Sequence, residues 1–371
     1  MQKILFIVNS DSFFVSHRLP IAIEAQKLGF QVHILSVLSK ECKEIHKYNF
    51  RIFSLDLKKT STNPFNFSFS FLRVLQVIYK VKPDIIHLIT VKPIIWGGLA
   101  SKLFKQKALI ASVTGLGQIY SSKNIISRIL KKIIEILYKV SYSNKENKYF
   151  IFQNKYDKKY IQNLINISDE NITMTNGAGV NLNFYQPSSL PKGTTRVLFA
   201  SRLLKAKGTL DFIKAAKLVT NAQFLLAGEY DSQNRDSIKG SILQEAIQEG
   251  IIKYIGFVSD IRELISESSI VVLPSYYGEG LPKVLIEAAA TGRPIITTNT
   301  PGCKDSIIDG VSGYLVDIKS PDQIASKVNY LIENPQKMIE MGIEARKLAE
   351  IKFDIKEVIN KHMMLYQSLI T

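Results

Sequence analysis

The feature that most constrains the fold is the alternation of short, β-branched apolar runs with amphipathic helical patterns along the whole chain. Strands that alternate with helices build parallel sheets, and runs that are apolar on both faces are typical of strands buried between two helix layers. Seven such runs lie in the first half and six in the second. The predicted strands are Ile4–Val8, Gln31–Leu35, Arg51–Leu55, Ile85–Leu88, Ala108–Val113, Tyr149–Phe152, Ile172–Thr175, Arg196–Ala200, Gln223–Ala227, Ile251–Ile255, Ile270–Leu273, Pro294–Thr297 and Tyr314–Val316.

The chain is long enough for two domains, since 371 residues exceed the size at which a single core stops growing. Asn, Pro, Ser and Gly accumulate over Asn181–Pro191, which indicates a connection there. We therefore predict an α/β protein with two doubly wound domains, residues 1–185 and 186–352. Residues 353–371 have helical apolar spacing, and this last helix either caps the second domain or crosses back to the first.

The charge of the chain is unevenly distributed. The formal net charge is +16, but residues 1–185 hold 26 Lys and Arg against 11 Asp and Glu, whereas the remainder holds 22 against 21. A basic domain points to an anionic partner, which leaves nucleic acid, a membrane surface or a phosphorylated substrate as candidates. The second half needs only a few placed charges for its own ligand.

The cysteines and the apolar segments indicate the compartment. Cys42 and Cys303 belong to no disulfide or metal-ligand spacing, so a reducing cytoplasm is expected. The apolar run at the N-terminus is shorter than a signal-peptide core. Charged residues interrupt the most apolar later window, 85–104, before it reaches the roughly 18–20 residues that span a bilayer. We expect a cytoplasmic protein that touches a membrane from one side only, as a peripheral protein of its inner face.

The densest group of polar and glycine residues follows the predicted strand Ile270–Leu273. Ligands of open α/β sheets bind at the carboxyl ends of strands, and Gly278 and Gly280 allow backbone N–H groups to approach a ligand closely. A helix predicted to start near Leu281 directs its positive end to the same place. With Glu279 before this helix and Glu287 within it, the segment is suited to a nucleotide sugar. The alternative is that both carboxylates only cap or solvate the helix.

Two further segments follow strands of the second domain. Arg202 and Lys207 offer cations that can neutralise a diphosphate, although basic loops are usually only solvated. Gly256, Phe257 and Val258 offer backbone groups and an aromatic ring, which suit a flat base as well as an ordinary turn.

These segments together resemble the family 4 retaining glycosyltransferases. The resemblance rests on two glutamates with seven residues between them, on Ser-Arg and Lys-Gly separated by four residues, and on Gly-Phe-Val. It implies the GT-B fold, in which two Rossmann-like domains face a central cleft, and a UDP-sugar donor. By this resemblance Arg202 and Lys207 would bind the diphosphate, Glu287 would bind the ribose and Glu279 the donor sugar. The backbone of Gly280, Leu281 and Pro282 would lie along the sugar and phosphate. The uracil would lie beside Phe257 and Val258.

The first domain has a narrower likeness. Residues 16–22, 87–98 and 113–117 look like those of bacterial α-1,3-N-acetylgalactosaminyltransferases that act on polyprenyl-diphosphate-linked sugars. The likeness implies a lipid-linked saccharide as acceptor in surface polysaccharide assembly, and GalNAc or GlcNAc as the transferred sugar. Many family members carry His or Glu after the fifth strand, where this chain has Val113 and Thr114, so no side-chain base is assigned. The residues expected to line the acceptor site or cleft are His17, Arg18, His87, Thr114 and Gly115.

The expected chemistry needs no metal. The chain contains no Asp-x-Asp, and the resemblance implies that Arg202 and Lys207 stabilise the leaving diphosphate while a departing phosphate oxygen accepts the acceptor's proton. No cofactor is expected beyond the UDP-sugar substrate. Two alternatives remain at this stage. They are a GT-B nucleotide-sugar 2-epimerase, which the spacing of Glu279 and Glu287 disfavours, and a nucleic-acid-binding protein, for which no motif is present.

Two segments of the basic domain suggest contact with an anionic membrane surface. Over 125–140 a broad apolar stripe with flanking cations predicts an amphipathic helix, which we expect to pack on the sheet but which would also suit anionic lipid. The alternating Phe65, Phe67, Phe69 and Phe71 predict a loop that enters the interface or holds a lipid tail.

Overall fold

The structure is a computed structural model that divides the chain into two compact units. The first unit comprises Met1–Ala178 and Lys356–Thr371, and the second comprises Gly179–Ile355. The changes of unit lie a few residues from the boundaries expected from the sequence. The described residues are 1–39, 42–55, 64–104, 106–117, 120, 124–143, 146–232, 234 and 236–370, without the side chains of 64–67.

The first unit is built on a parallel sheet of seven strands. The strands β1, β4 and β5 are its centre and are buried along both faces. The order is β3-β2-β1-β4-β5-β6-β7, so the chain changes direction across the sheet between β1 and β4. The strands are β1 (Lys3–Val8), β2 (Gln31–Ser36), β3 (Arg51–Ser54), β4 (Ile85–Ile89), β5 (Ala108–Val113), β6 (Lys148–Phe152) and β7 (Ile172–Met174).

Helices cover both faces of this sheet, and several begin at side chains that accept from the first free N–H groups. Ser10, Asn124 and Asn154 cap three of them in this way. The helices are α1 (Asp11–His17), α2 (Leu19–Lys27), α3 (Cys42–Ile45), α4 (Pro64–Val81), α5 (Val91–Ala100), α6 (Ile125–Ser141) and α7 (Lys155–Ile165), with α14 (Ile355–Ser368) from the end of the chain. A 3-10 turn, Asp169–Asn171, precedes β7.

The second unit repeats the design with six parallel strands in the order β10-β9-β8-β11-β12-β13. The strands are β8 (Thr195–Ala200), β9 (Ala222–Ala227), β10 (Lys253–Gly256), β11 (Ile270–Leu273), β12 (Ile295–Thr298) and β13 (Gly313–Val316). The helices are α8 (Thr209–Ala216), α9 (Gly240–Gln248), α10 (Arg262–Ser266), α11 (Lys283–Ala290), α12 (Pro321–Glu333) and α13 (Pro335–Lys352), with 3-10 turns at Lys205–Lys207 and Lys304–Ser306. The predicted α/β class with two doubly wound sheets is confirmed, and the thirteen predicted strands are present.

The phenylalanine-rich segment is not a loop. Pro64–Val81 is one helix, α4, so the prediction of a lipid-gripping loop is wrong. Residues two apart lie on different sides of a helix, and alternation therefore does not gather these rings on one face. Phe71 packs against the core and Phe69 is exposed. The side chains of Phe65 and Phe67 lie outside the described residues.

Helix α6 carries two apolar faces where the sequence analysis expected one packed stripe. Its inner face, with Leu137 and Tyr138, packs in the core of the first unit. Its outer face is exposed and consists of Ile125, Ile126, Ile129, Ile133, Ile136 and Val140. The expectation that the whole stripe packs on the sheet is therefore wrong for this outer face. No helix among the described residues is both long and apolar enough to cross a membrane.

The last helix, α14, packs in the first unit and encloses a group of buried polar residues. His87 is fully buried, with Nδ1 2.6 Å from the Tyr366 hydroxyl and Nε2 2.7 Å from Ser112 Oγ. The His362 ring stacks on that of His87. Arg18 is also buried, and its Nη1 donates to the carbonyl of His17. Burial lowers the pKa of Arg18 to about 10 and that of His362 to about 3.

Buried neutral histidines make the stability of the first unit depend on pH. Burial, with nearby Arg51 and Lys3, lowers the pKa of His33 to about 4, and neither ring nitrogen has a described hydrogen-bond partner. An unfolded histidine binds a proton below about pH 6.5, and the folded one does not. The unfolded state then holds more protons, so we expect the free energy of unfolding to decrease as the pH falls below that value.

Urea unfolding at neutral and mildly acidic pH, followed by the fluorescence of Trp96, measures this effect. Trp96 is the only tryptophan and is buried in the first unit, so its signal reports that unit alone. His33→Phe should flatten the pH dependence by up to about 1.4 kcal/mol per pH unit, while the exposed His46→Phe should leave it unchanged. If the free energy of unfolding of His33→Phe depends on pH as steeply as that of the wild type, His33 is not the source of the pH dependence.

Candidate active site

The candidate site lies at the carboxyl edge of the sheet in the second unit. Four adjacent strands, β10, β9, β8 and β11, end there, and each is followed by a loop that contains predicted site residues or their neighbours. Parallel strands bring these ends to one edge, where ligands of open α/β sheets bind. Residues 202, 207, 257, 258, 279 and 287 therefore meet although they are far apart in sequence.

Backbone contacts between the loops hold this edge together. The N–H of Ser201 donates to Ala227, that of Gly228 donates to Gly256, and that of Tyr276 donates to Ala206. Gly228 has a φ of +147°, and a Cβ there would lie 1.7 Å from the carbonyl oxygen of Ser201. Only glycine permits this approach, because it has no Cβ. Gly228 therefore allows the loop after β9 to pack against the loop after β8.

A cavity of about 220 Å³ opens between these loops. Its walls include Arg202, Phe257, Val258 and Glu287, together with Glu229. The Phe257 side chain is 62% exposed and presents an apolar ring at the cavity. The cavity therefore joins a cation, a flat apolar surface and a carboxylate, which are complementary to a phosphate, a base and a sugar hydroxyl respectively.

Lys207 and Glu279 form a shielded ion pair beside the cavity. Lys207 Nζ donates to Glu279 Oε2, and the two side chains are only 12% and 11% exposed. Burial works to lower the pKa of Lys207, but the carboxylate of Glu279 outweighs it and raises that pKa above its ordinary value. The ammonium group also lies 5.3 Å from the ring centre of Tyr277. Lys207 therefore stays a cation at neutral pH.

Glu287 is the most enclosed carboxylate of the site, at 5% exposure. Its Oε1 accepts from the Tyr185 hydroxyl at 2.7 Å and lies 3.0 Å from Lys283 Nζ. Burial and the adjacent carboxylate raise the pKa of Tyr185, so its hydroxyl remains a donor. These two donors orient the Glu287 carboxylate, and both of them contact Oε1 and leave Oε2 directed elsewhere.

The start of α11 differs slightly from the prediction. The helix begins at Lys283 after Pro282, and the side chain of Leu281 is buried in the core of the second unit. The backbone of Gly280, Leu281 and Pro282 is thus what this segment can offer a ligand. A Cβ on Gly302 would lie 2.4 Å from the carbonyl oxygen of Glu279, so a second glycine keeps this loop in place.

In the first unit, the structure moves two expected acceptor residues into the interior. His87 and Arg18 are buried beneath α14, so the prediction that they line an acceptor site is wrong. Sequence reasoning missed this because the residues that enclose them, His362 and Tyr366, lie almost at the end of the chain. Parallel strands bury both faces, which explains why His87 in β4 faces inward.

The remaining acceptor candidates are accessible. His17 is the last residue of α1, half-buried, with its ring stacked 4.1 Å from Phe13 and Nδ1 2.6 Å from Ser16 Oγ. Thr114 and Gly115 follow β5 at the carboxyl edge of the first sheet and are partly exposed, and Gly115 has a φ of +115°.

Three neighbours of the glutamates were not identified from the sequence. Lys283 precedes Glu287 by one helical turn, so helix periodicity provided a signal for it. Tyr277 adjoins the glycine pair. Tyr185 lies 102 residues from Glu287 in the expected domain connection, and nothing in its local pattern indicated a role. Among the described residues, no group of three or more His, Cys, Asp or Glu could hold a metal ion.

Comparison with known families assigns the enzyme class. Residues 183–348 match the family model of glycosyl transferases group 1, and residues 3–154 match that of glycosyl transferase 4-like proteins. The two segments together cover most of the chain. The chain belongs to the glycosyltransferases. This confirms the enzyme class and the family expected from the motifs.

Two curated relatives align with this chain over nearly its full length. The chain is 25% identical, over 99% of both sequences, to the N,N'-diacetylbacillosaminyl-diphospho-undecaprenol alpha-1,3-N-acetylgalactosaminyltransferase of Campylobacter jejuni. It is also 25% identical, over 93% of its length and 92% of the relative, to the capsular polysaccharide biosynthesis glycosyltransferase CapM of Staphylococcus aureus. The coarse prediction of a polysaccharide-assembly glycosyltransferase is thereby supported.

Solved structures show the same fold. The sucrose-phosphate synthase of Thermosynechococcus elongatus has a TM-score of 0.83 at 18% identity and covers 100% of this chain and 99% of its own. Anabaena HepE in complex with UDP-glucose has a TM-score of 0.78 at 19% identity, over 99% of this chain and 100% of its own. The likeness confirms the GT-B fold.

The close approach at Gly228 provides a test of the site's framework. Gly228→Ala should lower the free energy of unfolding of the second unit by at least about 2 kcal/mol, because the new Cβ meets a backbone oxygen that cannot move aside. Gly250→Ala is the control, since that glycine also has a positive φ of +69° but has open space around it. Circular dichroism during urea unfolding measures both. Equal losses of unfolding free energy in the two variants would show that the strain of a positive φ, and not the contact with Ser201, causes the destabilisation.

Proposed function

We propose that the protein transfers a hexose or N-acetylhexosamine, with GalNAc or GlcNAc as the best candidates, from a UDP-sugar to a lipid-linked saccharide. Transfer retains the configuration of the sugar and requires no metal. The single observation that carries the proposal is the cavity that joins Arg202, Phe257 and Glu287 beside the pair of Lys207 and Glu279.

The donor is proposed to lie with its uracil against Phe257 and Val258 and its ribose hydroxyls on Glu287. Both placements use what the cavity offers, an exposed ring beside backbone groups and a charged carboxylate held by Tyr185. Anabaena HepE, which shares the fold, was crystallised with UDP and with UDP-glucose, and this supports a uridine nucleotide. A hydroxyl that donates to a carboxylate forms one of the stronger hydrogen bonds available to a sugar.

Arg202 and Lys207 are proposed to stabilise the diphosphate as it leaves. A fixed cation that meets developing charge contributes more in the transition state than in the bound substrate, and therefore raises kcat. Glu279, already beside Lys207, accepts from a hydroxyl of the donor sugar. When the diphosphate binds, Lys207 gains a second anion while remaining paired with Glu279, which keeps its charge compensated throughout.

The acceptor hydroxyl attacks the anomeric carbon from the face that UDP leaves. The bond from that carbon to the phosphate oxygen breaks, the bond to the acceptor oxygen forms on the same side, and the departing phosphate oxygen takes the acceptor's proton. The chain's contribution is to orient the two substrates and to hold the charge of the diphosphate. No side-chain base is required in the loop of Val113 and Thr114.

The acceptor is proposed to be a polyprenyl-diphosphate-linked saccharide at an anionic membrane surface, on the cytoplasmic face. The Campylobacter relative is named for activity on N,N'-diacetylbacillosaminyl-diphospho-undecaprenol, and this supports a lipid-linked acceptor. The excess of 26 basic over 11 acidic residues in residues 1–185 is consistent with both a diphosphate and an anionic bilayer. Thr114, Gly115 and His17 are the accessible candidates for contact with this acceptor.

A panel of UDP-sugars tests the reaction, with and without polyprenyl-diphosphate saccharides. We expect one UDP-N-acetylhexosamine or UDP-hexose to be consumed only when the acceptor is present, with a retained anomeric configuration by NMR and full activity in a chelator. Absence of UDP binding would refute the donor assignment. An epimerised nucleotide sugar would favour the 2-epimerase alternative, and salt-sensitive binding to duplex DNA would favour a nucleic-acid function.

Arg202→Ala tests the diphosphate role. We expect kcat to fall by about 100-fold or more, because the cation acts mainly on the leaving group. Arg196→Ala is a matched control, since its guanidinium lies in the same unit in an exposed pair with Glu267. Full activity of Arg202→Ala, or equal loss in the control, would refute the role.

Tyr185→Phe tests the ribose carboxylate through its positioning residue. Removal of one hydroxyl should weaken UDP binding roughly fivefold, by about 1 kcal/mol, with little change in kcat. Glu287→Ala should raise the donor KM further. Tyr330→Phe, at an exposed tyrosine of α12, controls for loss of a hydroxyl alone. An unchanged calorimetric affinity for UDP in Tyr185→Phe would show that Tyr185 does not orient Glu287.

A further inference from the structure

We infer that the outer face of α6 is the surface by which the protein docks on an anionic lipid bilayer. This inference deepens the proposed function, since a lipid-linked acceptor lies in a membrane. It names the element that meets the membrane and the chemistry of that contact. It rests on the exposure and charge of α6 in the first unit, and on no part of the nucleotide cavity.

The outer face is a continuous apolar strip. Successive residues of a helix are about 100° apart, so the six exposed apolar side chains fall within one arc of about 100°. Their exposed fractions run from 44% at Val140 to 74% at Ile125. Scattered exposed apolar residues are ordinary on a protein surface, but five isoleucines and a valine on one helical face mark an interaction site.

The core does not account for this strip. The opposite side of α6 already packs inward, with Leu137 and Ile134 against the core and Tyr138 fully buried. A covering helix of a doubly wound domain needs one apolar face, and α6 has that face in addition to the exposed one. The second face therefore requires a partner outside the first unit.

Basic side chains adjoin the strip on one side. Arg128, Lys132 and Lys139 are exposed and lie next to it in the helical projection. The helix has one acidic residue, Glu135, which accepts from the Tyr160 hydroxyl and pairs with Lys131 at 3.8 Å. It is thus directed toward α7 and away from the strip. An apolar strip beside cations is the pattern of a helix that lies in the headgroup region of anionic lipid.

The neighbourhood of the helix end extends this surface. Lys102 Nζ lies 2.9 Å from Ser143 Oγ, just beyond α6, and Leu103 beside it is 68% exposed. A bilayer satisfies both features, since acyl chains take up the apolar strip and anionic headgroups the cations. A second copy of the chain satisfies only the first, because the same face of α6 offers the flanking cations no acidic partner, its one carboxylate being already paired with Lys131.

Co-sedimentation with vesicles tests the apolar strip. The probe is vesicles of equal parts phosphatidylglycerol and phosphatidylcholine, compared with pure phosphatidylcholine. We expect binding to the anionic vesicles, and a loss of about tenfold or more in affinity for the double variant Ile129→Gln, Ile136→Gln. Ile343→Gln with Ile351→Gln, at similarly exposed positions of α13, is the matched control and should bind as the wild type does.

A charge-reversal set tests the flank at constant net charge. Arg128→Glu, Lys132→Glu and Lys139→Glu together should abolish the preference for anionic vesicles. Lys192→Glu, Lys253→Glu and Lys347→Glu, which change exposed lysines of the second unit by the same total charge, should retain most of it. Equal binding by both sets would show that only net charge matters and would overturn the inference.

Further measurements separate this inference from the proposed function. Calorimetric binding of UDP to every variant should match the wild type, because α6 belongs to the other unit. Unchanged fluorescence of the buried Trp96 shows that the first unit of each variant is folded. Vesicle binding without sugar transfer would refute the function and leave the surface intact. Normal vesicle binding by the Ile129 and Ile136 variant, with a dimer converted to a monomer in sedimentation equilibrium, would replace the bilayer by a second copy.

Discussion

The candidate site depends on the common edge at which neighbouring parallel strands end. Strands β10, β9, β8 and β11 each deliver a loop to that edge, and the loops lie close enough to share backbone hydrogen bonds. Gly228 permits the closest of these approaches. Arg202 and Phe257, which belong to different loops, therefore line the same cavity. The sheet therefore converts a set of distant residues into one concave surface with a cation, a ring and a carboxylate.

Partners compensate the buried charges of the second unit. In the second unit, each buried charge described above has a partner of suitable chemistry. Lys207 pairs with Glu279, Glu287 accepts from Tyr185, and the buried Arg293 donates to backbone carbonyls such as that of Ser266. Such compensation is what allows a charge to remain inside a protein. These partners thereby stabilise the charged side chains of the candidate site, which can then contact a ligand.

In the first unit, the buried histidines His87 and His362 are held as neutral groups. The low pKa values of His87 and His362 follow from burial, and Arg18 adds a positive charge that disfavours a second one nearby. The hydrogen bond between His87 and Tyr366 joins the last helix to β4. This arrangement is structural, and it explains why His87 and Arg18, which were expected at an acceptor site, lie in the interior. The exposed cations of α6 lie on the outside of the same unit.

Much of the second unit was predictable from the sequence because its signals are local. Strands buried on both faces must be apolar throughout, and glycines beside strand ends must permit close backbone approach, so strand positions and the loops of Arg202, Lys207, Glu279 and Glu287 were all identified. The position of Lys283 one turn before Glu287 was also available from helix periodicity. The residues of this candidate site could thus be identified from local patterns, and the family resemblance supplied their expected roles.

The other features depend on contacts between residues distant in sequence. Tyr185 reaches Glu287 across 102 residues, and His87 is enclosed by a helix that begins at Ile355. The apolar residues of α6 are the same whether the core covers all of them or only one face of the helix, so the sequence does not show which of them are exposed. The sequence by itself determined which segments are strands, which sheet edge holds the candidate site residues and where the positive charge lies. Only the tertiary structure decided which of those residues are buried and which remain exposed, because burial is a property of the packing between elements and not of any element alone.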